Sequence, residues 1–161
     1  MPINGTGSII ECITEYQKSE DLEGEDEPTC EQCKEKRPMR KQLSISKCPS
    51  LLILHLKRFG NGGQSGSKDI SLITFPIENL KIRTETYKLQ GITNSTNDSY
   101  CITFIVLGII NHSGKTAMCG HYTALVRHGE KWFEFNDHEV KETKHDHLQS
   151  QDAYVLFYQL V

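Results

Sequence analysis

The 161-residue sequence has no long apolar run, no surplus of basic charge and no leader-like start. Each absence removes a class of function. The longest uncharged apolar run is FIVLGII at 104–110, far short of the ~20 residues that a membrane-crossing helix needs. With 18 Lys and Arg against 21 Asp and Glu, the formal charge is −3. No net basic field recruits phosphates, which argues against a nucleic-acid partner. The opening MPINGTGSII lacks a basic n-region and an apolar h-region, so it does not read as a signal peptide. A soluble intracellular protein, cytoplasmic or nuclear, is expected, and the length suits one domain with a sizeable core.

A regular disulfide framework is also missing. Six cysteines (Cys12, Cys30, Cys33, Cys48, Cys101 and Cys119) are irregularly spaced in a chain with no secretory signal, which favours reduced thiols. The sequons at Asn4, Asn94, Asn97 and Asn111 then read as chance matches, because glycosylation requires the secretory route. Cys12, Cys48 and Cys101 sit in apolar settings and read as packing thiols. Cys30 and Cys33 form a Cys-x-x-Cys pair. Two thiolates at this spacing can grip one tetrahedral zinc from a knuckle, but a structural zinc site needs four ligands and no second pair follows. Neither His55 nor Cys48 has a spacing that completes it. A redox motif is disfavoured by the absence of a surrounding βαβ pattern, and His138, His145 and His147 read as a solvated polar stretch rather than a metal cluster.

No internal repeat is present. GSIIECITEYQ (7–17) carries apolar residues at helical spacing, predicting one short amphipathic helix. The acidic SEDLEGEDEP and basic KEKRPMRK stretches around the Cys pair read as solvated loops. Residues 42–47 alternate and predict a strand broken at Cys48-Pro49. LLILHLKRF (51–59) is apolar on both faces at its start, as a central strand would be, and NGGQSGSKD reads as a flexible loop. Residues 72–80 and 86–92 are further strand candidates, and 94–99 mark a turn region. Residues 100–110 predict a long β-branched strand, 111–120 a mobile loop, and AYVLFY (153–158) a closing buried strand. One early helix followed by many strands predicts an α+β domain built mainly on antiparallel sheet.

The chemistry concentrates at CGHYTALVRHGEKWFEFND (119–137). Alternation puts His121, Thr123 and Leu125 on one face of a strand, and Tyr122, Ala124 and Val126 on the other. What His121 meets depends on the turn register. A two-residue loop at His128-Gly129 sets it opposite Asn136, a three-residue loop through Glu130 opposite Asp137, and a Gly129-Glu130 loop opposite His138. Directly opposed side chains have Cβ atoms ~4.5–5.5 Å apart. An imidazole held through one nitrogen has a fixed tautomer, and its other nitrogen is free to take a proton from a thiol or hydroxyl. A polar pair that merely closes a hairpin is the competing interpretation.

Several segments together resemble the ubiquitin-specific proteases. GHYTALVR, WFEFND with Val140 after it, and AYVLFY are similar to that family's histidine box and C-terminal strands. SLLILHLKRF followed by FPIENL resembles its core strand and the segment after it. Asn111-His112-Ser113-Gly114 resembles the loop leading to the catalytic histidine, and TCEQCKEKRPMRKQLSISKCPSLL the end of the zinc-bearing fingers running into the palm. The resemblance implies a papain-like cysteine protease fold of thumb, palm and fingers, and hydrolysis of isopeptide bonds at the C-terminal glycine of ubiquitin. It makes His121 the general base, Asn136 the residue that orients it, and Asp137 a neighbour supporting the base or the oxyanion site.

In one respect the sequence departs from that pattern. The family's cysteine box, of Asn-x-Gly-Asn-Thr-Cys-Tyr type, occurs nowhere in it. The chain is therefore expected to be the C-terminal part of a catalytic domain with the thumb missing. Residues 7–48 would be the fingers remnant and palm entry, and residues 49–161 the palm. No nucleophile is evident: Cys119, two residues before His121, belongs in the resembling family to a loop without chemistry. The partner of the Cys30/Cys33 pair would likewise lie upstream, leaving half of a possible zinc site and no catalytic cofactor. Ubiquitin and ubiquitinated proteins are the expected partners. A non-catalytic ubiquitin-binding or scaffold module of the same fold is the alternative.

Overall fold

The computed structural model describes residues 3, 7–60, 68–84, 100–116 and 118–161. The expected strand at 86–92, the turn region at 94–99 and most of the Gly-rich NGGQSGSKD stretch lie outside them. The expected helix is α1 (Ile9–Tyr16), capped by the Ser8 side chain, which accepts from the Glu11 N–H. The Glu11 carboxylate in turn accepts from the Gly7 N–H at 2.9 Å, and the Ile9 N–H donates to the Thr74 carbonyl at 2.8 Å, so two of the otherwise orphaned first-turn donors, those of Ile9 and Glu11, are satisfied. Ile9, Cys12 and Ile13 turn inward while Ile10 faces solvent, which is the amphipathic stripe its spacing requires.

The charged stretches around the Cys pair are exposed, but they are not loops throughout. β1 (Glu20–Leu22) and β2 (Met39–Lys41) form a two-stranded sheet. Its register sets Glu20 opposite Lys41 and Asp21 opposite Arg40, and Arg40 Nε donates to Asp21 at 2.6 Å. Opposite charges facing each other across the pair favour this pairing. The strand expected at 42–47 is absent. That segment is largely exposed, and its polar groups turn to the helix end instead: Gln42 Nε2 donates to the Gln17 carbonyl at 3.1 Å, and the Ile45 N–H to Gln17 Oε1 at 3.4 Å.

The remaining strands build one antiparallel sheet of seven: β3 (Leu51–His55), β4 (Leu80–Thr84), β5 (Tyr100–Thr116), β6 (Cys119–His128), β7 (Lys131–Asn136), β8 (Glu139–Thr143) and β9 (Ala153–Leu160). Their order is β3-β9-β5-β6-β7-β8, with β4 on β5. β5 is the spine: β9 runs along one edge, and β4 and then β6 along the other. Four expectations about these residues need correcting. β3 is an edge strand, pairing only with β9 among the described residues, and Leu51 and Ile53 stand 45% and 54% exposed. The AYVLFY strand, flanked by β3 and β5, takes the buried place, with Leu156 and Tyr158 inaccessible.

Of the strand expected at 72–80, Ile73, Phe75 and Ile77 are buried alternately, yet among the described residues only a single bridge from Ser8 to Thr74 pairs 72–79, and β4 begins at Leu80. Pro76 has no N–H to give a ladder. Gln149 bonds the Phe75 N–H and carbonyl, and the Tyr158 hydroxyl donates to the Pro76 carbonyl, so side chains satisfy this backbone. Residues 111–116 and 119–120 belong to strands rather than to a loop, since β5 continues to Thr116 and β6 begins at Cys119. Cys12 and Cys48 are buried as expected, whereas Cys101 is exposed on β5 opposite Arg83. Residues 141–152 include the end of β8 and a short 3₁₀ turn at His145–His147.

Candidate active site

The β6–β7 turn takes the third of the three possible registers. His128 pairs with Lys131, so Gly129 and Glu130 form the turn, with Gly129 at the positive φ of 62° that the tight turn requires. The ladder runs to Ala124–Phe135; continued, it would set Thr123 opposite Asn136 and His121 opposite His138. His121 and Asn136 meet all the same, diagonally: Nε2 lies 2.6 Å from Asn136 Oδ1. Diagonal positions on one face are separated by ~7–8 Å at Cα, within reach of long side chains. The amide oxygen can only accept, so Nε2 carries a proton in this contact, and in the neutral ring Nδ1 then presents a lone pair. That is the tautomer a general base needs.

Two further features shape this corner. Asp137 opens the two-residue turn between Asn136 and Glu139 at φ 51°, a left-handed conformation uncommon outside glycine. Its carboxylate makes no hydrogen bond or ion pair with the described residues, and it is exposed. On the other flank, Ser113 pairs with His121 and His112 with Tyr122 across β5–β6. Cys119 is exposed at the hairpin end, opposite Thr116. The face of β6–β8 opposite His121 leaves Tyr122, Val126, Phe135 and Val140 exposed, with Phe135 paired between Ala124 and Val140.

Behind the histidine lies a packed polar cluster that joins His112 and Ser113 of the NHSG stretch and Arg58 of LLILHLKRF to Lys68 and Asp152, which belong to none of the motifs. His112 is fully buried, with ring contacts to Phe59, Tyr122 and Tyr154 at centroid distances of 5.4, 4.7 and 5.9 Å. Neither ring nitrogen has a partner among the described residues. Burial, and secondarily the positive charge of Lys68, hold the imidazole below its ordinary pKa. Lys68 is itself buried and donates to the His112 carbonyl and, at 2.5 Å, to Asp152 Oδ1. Burial alone would raise the Asp152 carboxyl. Hydrogen bonds from Lys68 and Ser113, with the charges of Lys68 and Arg58, bring it below its ordinary value. Arg58, 1% exposed, donates to the carbonyls of Ala153, Asp69 and Ser71. For Lys68 and Asp152 the hints in the sequence are the Lys-Asp that ends the Gly-rich stretch and the Gln-Asp before AYVLFY.

Cys30 and Cys33 close a knuckle. The Cys30 N–H donates to the Glu35 carbonyl and the Lys34 N–H to the Cys30 carbonyl, each at 2.9 Å, with Lys34 at φ 59°. Backbone N–H groups of Cys33 and Gln32, then the Cys33 thiol, lower the Cys30 pKa, as befits a thiolate ligand. Among the described residues no third or fourth donor joins them. Two donors therefore fit a zinc knuckle but not a complete four-ligand site.

Comparison with known proteins gives one consistent result. The family model described as ubiquitin carboxyl-terminal hydrolase matches residues 17–158. Ubiquitin carboxyl-terminal hydrolase 2 of Gallus gallus is 35% identical over 164 residues, which cover 99% of this chain and 43% of that protein. The Homo sapiens hydrolase 2 is 34% identical over 95% of this chain and 24% of its own length. Ubiquitin carboxyl-terminal hydrolase 21 of Mus musculus is 32% identical, over 98% of this chain and 26% of its own length. Among solved structures, the SAGA Ubp8/Sgf11/Sus1/Sgf73 DUB module bound to ubiquitin aldehyde matches with a TM-score of 0.78 at 30% identity, covering 99% of this chain and 35% of that one. The chain thus spans less than half the length of these relatives.

Proposed function

Since the chain belongs to the ubiquitin carboxyl-terminal hydrolase family, we propose that it is the palm-side portion of a thiol-dependent deubiquitinase. On this reading residues 7–48 form the fingers remnant and palm entry, and residues 49–161 the palm, in an intracellular enzyme whose partners are ubiquitin and ubiquitinated proteins. The His121–Asn136 contact carries the proposal. A thiol from a cysteine box outside this sequence gives its proton to His121 Nδ1, and the thiolate attacks the carbonyl carbon at the ubiquitin C-terminal glycine. His121 returns the proton to the leaving amine, and water then cleaves the thioester. Asn136 holds the ring through Nε2, Asp137 supports the base or the oxyanion, and backbone N–H donors stabilise the oxyanion itself. Cys30 and Cys33 would supply two ligands of a structural zinc, whose role is to fix the fingers and not to take part in the chemistry.

The absence of an Asn-x-Gly-Asn-Thr-Cys-Tyr motif from the sequence favours a second reading, a ubiquitin-binding or scaffold module without turnover. A ubiquitin–fluorophore substrate separates the two. The 161-residue chain alone is expected to release no fluorophore, whereas the polypeptide encoded by the complete reading frame releases it and loses that activity on His121→Ala. Turnover by the chain alone that disappears on Cys119→Ala would refute the assignment of the nucleophile. A complete polypeptide that binds ubiquitin without hydrolysing the substrate would establish the scaffold reading.

A further inference from the structure

The end of β5 lies where the ladders slip. The β5–β9 register shifts between Ile110 and Asn111, and the β5–β6 register shifts between Ser113 and Thr116. His112 and Ser113 sit between the two irregularities, as the last residues of β5 in regular register with β6, where the pairing on both sides is about to break. Lys68 enters at this point. Its N–H donates to the Lys115 carbonyl at 3.1 Å, it bridges Phe59, and its side chain is 1% exposed. The ammonium takes two acceptors from different segments, the His112 carbonyl and the Asp152 carboxylate. Asp152 closes the circuit: its carbonyl accepts from the His112 N–H at 2.8 Å, and its carboxylate accepts from the Ser113 hydroxyl.

We propose that Lys68 is a positioning residue for His121: by bonding Asp152 and the His112 carbonyl, it fixes the stretch of β5 from which Ser113 faces His121. A buried ion pair adds little net stability, because desolvation offsets most of the attraction. Asp152 is 37% exposed at its side chain and rehydrates if the ammonium is lost. What the pair contributes is a defined place for three chain segments. Reacting groups displaced by about 1 Å can lose on the order of 100-fold in rate, so a small shift of the Ser113–His121 pair changes chemistry before it changes fold. The inference rests on the reading of His121 as the general base, but its structural half is measured independently.

The test labels the histidine imidazoles of the chain with ¹⁵N and reads the His121 tautomer by NMR. Wild type is expected to show a single Nε2–H form. Lys68→Met and Ser113→Ala are expected to give mixed or exchange-broadened His121 signals, with Lys68→Arg retaining the single form. In the complete polypeptide, Lys68→Met should lower kcat on the order of 10–100-fold with KM nearly unchanged. Lys68→Met that lowers Tm but leaves both the tautomer and kcat intact would overturn the proposal and make the lysine purely structural. Should Lys68→Met not fold, Ser113→Ala at its exposed site decides alone: an unaltered His121 tautomer refutes the proposal. Absence of any hydrolysis by the complete wild-type polypeptide would instead strike the general-base assignment, leaving the tautomer result to judge the positioning role.

Discussion

Gly120, the residue before the candidate base, is the sharpest point at which to perturb this site. A Cβ there would lie 2.6 Å from Cε1 and 3.0 Å from Cδ2 of the His112 ring, and closer still to Nε2. Two terms of opposite sign then compete. Alanine restricts the unfolded chain and by itself stabilises by about 0.4–1 kcal/mol. Against this, an extra methyl in a filled interior costs about 1–3 kcal/mol. His112 cannot yield cheaply, because it is fully buried and bounded by Phe59, Tyr122 and Tyr154. The clash therefore wins, and Gly120→Ala is expected to destabilise by about 1–2 kcal/mol, or about 2–8 °C in Tm for a domain of this size.

Urea denaturation followed by circular dichroism measures this, and a double-mutant cycle identifies the cause. His112→Ala alone opens a cavity, although it also removes two buried ring nitrogens that lack partners among the described residues. In that background the Gly120→Ala methyl enters vacated space. The double variant should thus be more stable than the sum of the singles by about 1–2 kcal/mol. Wild-type stability for Gly120→Ala, or strict additivity in the cycle, would refute the claim that His112 and Gly120 are in forced contact.

Acid should weaken the fold in two steps. Burial holds the His112 pKa down, so the unfolded chain takes up the proton first; stability is full above about pH 6.5 and falls as pH drops from there toward the folded pKa. His55, also lowered chiefly by burial, adds in the same sense. Asp152 is likewise lowered, so its contribution is present above the ordinary Asp value near 3.9 and is lost as pH falls through the folded one. Urea midpoints from pH 8 to 5 should decline in wild type and less steeply in His112→Phe; a flat wild-type profile contradicts the first step. Arg58→Met, which strands the carbonyls of Ala153, Asp69 and Ser71, should cost about 2–4 kcal/mol in the same assay. Arg58→Lys should recover only part of that, because an ammonium lacks the guanidinium fork; full recovery would show that charge alone matters.

What the sequence revealed and what it hid divide along the range of the interactions. The helix at Ile9–Tyr16, the β5 strand and the AYVLFY strand are written in local periodicity, so they were legible. Sheet order is not local. The LLILH stretch is as apolar as a central strand, but its one partner among the described residues is β9, about a hundred residues away, and it lands at an edge. Register shows the same divide at the site itself. Local turn chemistry offered three pairings for His121, and the one adopted is the one in which neither Asn136 nor Asp137 stands directly opposite. The His121–Asn136 contact survives because it crosses the ladder diagonally, beyond its last backbone pair at Ala124–Phe135. Such a contact cannot be set by the β6–β7 turn alone. It needs β6 held from its other side, and there the partners are Ser113 and His112 on β5. Those two are fixed in turn by Lys68 and Asp152, separated by 84 positions in the chain. Nothing in the spacing of either residue announces the pair. The candidate base and its candidate partner could be read from one short stretch, whereas the means of holding them required the whole sheet.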